Sequence, residues 1–316
     1  MEMKKRTAVI AIGGNSLISG KGKESLEDQH MAVFETTKHI ADIIEAGYQV
    51  VVTHGNGPQV GFILARSDLA AHEIHRISLV IAVADTQGAI GYEIQQSLDN
   101  EMHRRGEKSR TVSLVTQVLV DKDDPGFKTP TKFIGGFYEE AQLPEIKKNH
   151  PDWVLKADSN RGYRRVVASP QPKAIVELEA VESMIKAGFN VVTVGGGGIP
   201  VVENNGLLEG VPAVIDKDLA TCLLAEKLSA DLLIISTGVP QVAINFGKPN
   251  EEKLGTVKAD QMAKYLAEGH FPPGSMGPKI EAALNFLAKG GSEVIITDPQ
   301  NLGAAVKDGK GTHIIK

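Results

Sequence analysis

Short β-branched runs alternate along the chain with longer stretches in which apolar residues recur every three or four positions. The runs are TAVIAI from Thr7, QVVVT from Gln49, TVSLVTQVLV from Thr111, NVVTV from Asn190, LLIIS from Leu232 and EVIIT from Glu293. They are continuously apolar, as strands buried on both faces are. Between them, Met31, Val33, Phe34, Ile40, Ile43 and Ile44 mark one amphipathic helix, and Val176, Leu178, Val181, Met184 and Ile185 mark another. Apolar strands alternating with such helices predict an α/β protein with a mainly parallel sheet covered on both sides.

The alternation stops between about Asp121 and Arg165. This segment carries Pro125, Pro130, Pro144 and Pro151, many charges, and six of the chain's fifteen aromatic residues: Phe127, Phe133, Phe137, Tyr138, Trp153 and Tyr163. It predicts a small subdomain with its own aromatic cluster. A long excursion from a compact domain is a candidate lid over a site.

Glycines collect where strands end. TAVIAI runs into Gly13-Gly14-Asn15-Ser16, QVVVT into HGNGPQVG (His54 to Gly61), and NVVTV into Gly195 to Gly198. Glycine loses the most backbone entropy on ordering, so four in a row form either a tight turn or a backbone-lined cradle. In an open parallel sheet ligands bind at the carboxyl ends of the strands. Exposed N–H groups and helix N-termini there favour phosphates and carboxylates. Gly55, Gly57 and Gly61 give only a loose version of the dinucleotide fingerprint, with no acidic residue ending the next strand, and a Walker A loop is absent.

Three lysines accompany the loops. Lys217 lies between Asp216 and Asp218 at an expected loop-to-helix junction, Lys279 follows Gly277-Pro278 at an expected helix start, and Lys132 sits in the excursion. Cations of this kind beside backbone donors are what phosphoryl transfer needs, because charge spreads over the moving group. Asp218 would orient the lysines, or cap its helix.

Composition narrows the field further. The 316 residues carry a formal net charge of −5, which offers no global attraction to nucleic acid or an anionic membrane. The single cysteine, Cys222, permits no internal disulfide and fits a reducing compartment as a small apolar residue. Lys4, Lys5 and Arg6 precede only a short apolar stretch, too short for a signal peptide, and no run approaches a membrane span. A soluble, cytoplasmic protein is expected. His72 and His75 lack a third metal ligand, and no G-x-S-x-G elbow occurs.

The blocks GGNSL, HGNGPQVG, TQVLVDKDDPGFKTPTKFIGGFY, RGYRRVVASPQP, GGGGIPV, VIDKDLA, NFGKP and MGPKIEA resemble those of the carbamate kinases of the amino acid kinase superfamily, in family order over nearly the whole chain. The resemblance implies a three-layer α/β/α sandwich with a mainly parallel central sheet and a small protruding lid subdomain. Residues 1–212 would form the acceptor lobe, with the lid at about 121–165, and residues 213–316 the nucleotide lobe. It implies reversible transfer between ATP and carbamate, giving ADP and carbamoyl phosphate, with Mg²⁺, in a homodimer serving arginine breakdown. Its partners would be these small molecules, not nucleic acid or membrane.

By the same resemblance, Gly13, Gly14 and Asn15 would cradle the transferring phosphoryl group, and Gly55, Asn56, Gly57, Gly196 and Gly197 would bind the acceptor. Lys132 would reach in from the lid, Lys217 and Lys279 would neutralise phosphate charge, and Asp218 would organise them. Ser236, Gly238, Met276, Gly277 and Lys279 would hold the nucleotide. The Mg²⁺ ligands stay open. Many members read PTKPIGPFY where this chain has Phe133 and Gly136, which predicts a more mobile lid. Two other readings stand beside this one: a superfamily kinase for another small acid or phosphate, and a non-catalytic nucleotide or metabolite sensor. The three lysines weigh against the sensor.

Overall fold

A computed structural model describes residues 5–13, 16–17, 22, 25–108, 110–158, 162–272 and 275–316. In the first part of the chain β1 (Arg6–Ile12), α1 (Leu26–Glu45), β2 (Tyr48–His54), α2 (Gly57–Leu69), α3 (Leu79–Arg104), β3 (Thr111–Ser113) and β4 (Gln117–Val120) follow in order. The excursion contributes β5 (Lys132–Tyr138), α4 (Leu143–Asn149), β6 (Val154–Ala157) and β7 (Tyr163–Val167). Next come β8 (Pro172–Ile175), α5 (Leu178–Lys186), β9 (Asn190–Val192), β10 (Ile199–Asn204) and β11 (Leu207–Gly210). The last part holds α6 (Lys217–Lys227), β12 (Leu232–Ser236), β13 (Ala243–Ile244), β14 (Glu252–Lys253), β15 (Thr256–Lys258), α7 (Ala259–Ala267), α8 (Met276–Ala288), β16 (Glu293–Thr297), α9 (Leu302–Asp308) and β17 (Thr312–Ile315).

Eight strands make the central sheet, in the order β15-β17-β16-β12-β1-β2-β9-β3. Its pairings are parallel except β16 with β17. Alternate residues of the apolar strands point to opposite faces. Ile10, Val52 and Ile234 pack with α1, α3 and α9, through residues such as Ile40, Ile94 and Leu302. Val9, Val51 and Leu233 pack on the other face with α5, α6 and α8, through Val181, Leu224 and Phe286. Both faces are covered, so the strands carry no polar alternation; the α/β/α sandwich is the fold. Among the described residues no helix is long and apolar enough to cross a membrane.

Two expectations need correction. The run from Thr111 to Val120 is two strands, not one. β3 closes the central sheet beside β9, whereas β4 joins a second sheet of order β11-β10-β4-β8. The break falls at Thr116, whose backbone N–H donates to Gln87 Oε1 of α3 at 2.7 Å, and whose carbonyl accepts from Gln87 Nε2 at 3.0 Å and from the Ile199 N–H of β10 at 2.9 Å. A glutamine thus stands in for a strand neighbour at the Thr116 N–H, while the carbonyl already pairs with β10, and the chain turns there.

The excursion forms a separate three-stranded antiparallel sheet, β5-β7-β6, extending to Val167. Three of its six rings are faced by cations. Arg164 lies 5.0 Å from the Phe137 ring centre and 5.7 Å from that of Phe133, and Arg165 lies 4.4 Å from Trp153, which stacks on His150 at 3.8 Å. The apolar anchor is instead Ile134, which enters a third core with Val60 of α2, Val83 of α3 and Val201 of β10. α2 and β5 approach so closely that a Cβ on Gly61 would stand 2.3 Å from the Gly135 Cα.

Candidate active site

The three glycine-rich stretches follow β1, β2 and β9, adjacent strands of the sheet, and Lys217 at the start of α6 borders the same cavity as Gly55 and Gly196. Asp216 is the N-cap of α6: its Oδ1 accepts from the backbone N–H of Asp218 at 2.9 Å and of Leu219 at 3.4 Å. The cap therefore belongs to Asp216, which frees the Asp218 side chain. Asp218 is 5% exposed and holds both flanking lysines, with Lys217 Nζ donating to Oδ1 at 2.5 Å and Lys279 Nζ to Oδ2 at 3.0 Å. Burial alone would raise the Asp218 carboxyl, but the two ammonium groups outweigh it and hold it well below the usual carboxylate range. Lys132 of β5 donates to Asp216 Oδ2 at 2.7 Å. Burial and the neighbouring Asp218 charge raise Asp216, and Lys132 together with Lys217 more than reverses that. Three lysines against two aspartates leave an excess of positive charge at a helix N-terminus, an anion site in kind.

Two cavities meet this charge cluster. One, of about 220 Å³, is lined by Gly55, Asn56, Gly57, Gly196, Lys132 and Lys217, with Phe133, Ile134, Val214 and Ile215 as an apolar wall. The other, of about 270 Å³, is lined by Gly238, Val239, Phe246, Phe271, Met276 and Lys279. Ser236 is fully buried, and its hydroxyl meets that of Ser16 at 3.3 Å; its neighbour Thr237, not Ser236 itself, borders the second cavity. Gly277 is buried beside it; a Cβ there would stand 3.1 Å from the Pro272 carbonyl oxygen. Gly13 sits where a Cβ would meet the Ser236 carbonyl oxygen at 2.9 Å, tying the first turn to β12. Gly14 and Asn15 lie outside the described residues.

The four-glycine run has a more internal reason than its sequence suggested. A Cβ at Gly195 would lie 2.3 Å from His54 Nε2, at Gly196 2.0 Å from Asn56 Nδ2, at Gly197 2.4 Å from the Ile215 carbonyl oxygen, and at Gly198 2.3 Å from Val118. Gly196, Gly197 and Gly198 also have positive φ, at 66°, 92° and 86°. Most of the run is thus spent on close packing, and of the four only Gly196 lines the first cavity. Asn56 is likewise committed inside, its Nδ2 donating to Thr86 Oγ1 at 2.9 Å.

His54 and Gln59 escaped the sequence reading. His54, beneath Gly55, is fully enclosed; burial, with Lys217 adding to it, lowers its pKa to about 4 against the Gly55 hydrogen bond. Its Nδ1 lies 2.9 Å from the Gly55 carbonyl oxygen, which can only accept, so the neutral ring carries its proton on Nδ1. Gln59 lines the first cavity. Both lie within the quoted HGNGPQVG block, but nothing in their spacing distinguishes a buried ring or a cavity-lining amide.

Comparison with known proteins gives the class first. Residues 6–298 match the model of the amino acid kinase family, and the chain belongs to that family. Within it, the chain stands with the carbamate kinases and carbamate kinase-like proteins. It is 52% identical over 315 residues to the carbamate kinase-like protein YahI of Escherichia coli K12, covering 99% of each chain. It is 46% identical to the carbamate kinase of Pyrococcus horikoshii, covering 97% of this chain and 98% of that one. A carbamate kinase of Giardia lamblia bound to AMP-PNP superposes with a TM-score of 0.91 at 41% identity, over 99% of both chains.

Proposed function

We propose that the protein transfers a phosphoryl group reversibly between ATP and carbamate, forming ADP and carbamoyl phosphate. The observation that carries this reading is Asp218. One buried carboxylate holds Lys217, which lines the first cavity, and Lys279, which lines the second. On this reading the two ammonium groups stand across the boundary between an acceptor space and a nucleotide space. The family and the carbamate kinase relatives supply the substrates.

On this reading the acceptor's carboxylate oxygen attacks the terminal phosphorus in line, the bond to ADP breaks, and no covalent enzyme intermediate forms. Lys217 and Lys279 meet the charge spreading over the transferring oxygens, and Asp218 keeps them from moving as it develops. Lys132 reaches the acceptor side from β5, and the N–H groups at the start of α2 favour the acceptor's negative charge. Gly13, Gly14 and Asn15 serve the transferring group, and Gly238 and Met276 the nucleotide. Among the described residues no group of three or more His, Cys, Asp or Glu could hold a metal, and Asp216 and Asp218 are already claimed by lysines. Mg²⁺ would therefore enter on the nucleotide, held by phosphates and water.

We further propose that residues 1–212 act as the acceptor lobe and 213–316 as the nucleotide lobe, with the β5-β7-β6 sheet as the lid. A cytoplasmic homodimer in arginine breakdown fits the single buried cysteine and the exposed apolar Ile81, Tyr92 and Val115 on and beside α3 and the edge strand β3.

The test is ATP formation from ADP, Mg²⁺ and carbamoyl phosphate, with Lys217→Ala alongside. Rapid formation that drops by about 10²-fold or more in the variant is expected, as for loss of a preorganised charge donor. Folded protein without this activity would sink the carbamate assignment.

A further inference from the structure

The ladder between β5 and β7 pairs Ile134 with Arg165 and then Tyr138 with Tyr163, so Gly135, Gly136 and Phe137 stand opposite the single residue Arg164. Three residues against one make a large bulge, and a bulge beside a site re-aims the side chains around it. Two adjacent glycines give the backbone little preference for where that bulge falls. The Arg164 side chain, 16% exposed, lies in it. Its Nε and Nη2 both donate to the Gly135 carbonyl oxygen, at 3.1 and 2.9 Å, and its Nη1 donates to Asp158 Oδ2 at 3.0 Å. Hydrogen bonds from a charged fork are stronger than neutral ones and fix geometry as well.

Arg164 does not border the cavity that Lys132 and Phe133 line. It touches the strand that carries them. Its guanidinium lies 5.7 Å from the Phe133 ring centre, and the carbonyl it grips belongs to the glycine seated against Gly61 of α2. Lys132 precedes that glycine by three residues on β5, and its Nζ donates to Asp216 Oδ2 at 2.7 Å. A slip of β5 by one residue against β7 would turn Lys132 to the other face of the ladder, and a bulge without a fixed place permits such a slip. We infer that Arg164 is a positioning residue for phosphoryl transfer: it pins the bulge at Gly135 and so holds β5 in the register that aims Lys132 at the first cavity. This inference rests on Lys132 serving the acceptor side, as proposed above.

The experiment measures ATP formation from ADP, Mg²⁺ and carbamoyl phosphate for Arg164→Gln and Arg164→Lys, each made in the wild type and in Lys132→Ala. Both single variants should lose about tenfold or more in kcat/KM for carbamoyl phosphate, the scale of hydrogen bonds lost from a charged group, with ADP affinity changed by less than about twofold. Arg164→Lys keeps the charge but has no planar fork to span Asp158 and Gly135, so it should fall with Arg164→Gln, and it guards against one variant misfolding. Added to Lys132→Ala, either change should cost less than about twofold more, because the lysine that Arg164 aims is gone. Where that background turns over too slowly, its affinity for carbamoyl phosphate without ADP stands in for kcat/KM. A tenfold fall in the Lys132→Ala background as well, an equal loss of ADP affinity, no fall in the single variants, or wild-type kinetics in Arg164→Lys each overturns the inference and leaves the carbamate reading intact. A wild type that makes no ATP from carbamoyl phosphate, or a Lys132→Ala as active as the wild type, overturns the reading beneath it before any Arg164 variant is made.

Discussion

Lys217, Asp218 and Lys279 illustrate how much a single side chain can depend on its neighbour's task. Because Asp216 caps α6, Asp218 is free to bind both lysines, and because Asp218 is buried, its charge is not diluted by water. His54 shows the opposite effect, a group kept neutral by burial beneath the same site. Its folded pKa of about 4 lies below the ordinary 6.5, so protonation favours the unfolded chain. The stability this supplies is fully present above pH 6.5 and is lost as pH falls towards 4. The loss is on the order of 3 kcal/mol for a fully buried ring. Urea unfolding at pH 7 and pH 4.5 should show that loss in the wild type and largely not in His54→Gln. A wild type and variant with the same pH slope would count against it.

At the scale of elements, the seating of β5 on α2 is the sharpest constraint. Gly61 and Gly135 meet without side chains, and this contact sets where Lys132 projects. Gly61→Ala would place a Cβ 2.3 Å from the Gly135 Cα, so one element must move. We expect a destabilisation of about 1–3 kcal/mol, the usual scale of overpacking. A fall in kcat/KM for carbamoyl phosphate should accompany it, with ADP affinity little changed. Thermal unfolding together with steady-state kinetics checks this; a variant indistinguishable from the wild type would show that β5 has slack. The excursion also marks where sequence reading ran short. Its proline and aromatic content separated it from the α/β repeat, but aromatic count alone could not tell ring–ring packing from rings covered by Arg164 and Arg165. The split at Thr116 was equally hidden, because the Gln87 side chain that binds its backbone lies 29 residues away.

For the molecule as a whole, the central sheet runs unbroken from β15 to β3, and β1 and β12 lie side by side at its middle. The two cavities therefore sit on one rigid frame, joined through the Lys217–Asp218–Lys279 cluster, while Lys132 arrives from the smaller sheet. Losing Lys132 should then act on one side only. Lys132→Ala is expected to weaken carbamoyl phosphate use strongly and leave ADP affinity within a few-fold, measured by initial rates and by ADP titration. Equal loss on both sides would move Lys132 out of the acceptor space.

The order of residues was sufficient for the α/β class, the central strands β1, β2, β9, β12 and β16, the glycine turns and the lysines, because these depend on local periodicity and on residue chemistry. Folding in three dimensions decided the rest. It assigned the helix cap to Asp216 and both lysines to Asp218, and turned three of the four glycines inward to make room for His54, Ile215 and Val118. Each of these outcomes joins residues far apart in the chain, and sequence spacing carries no measure of which side chain will already have claimed a partner.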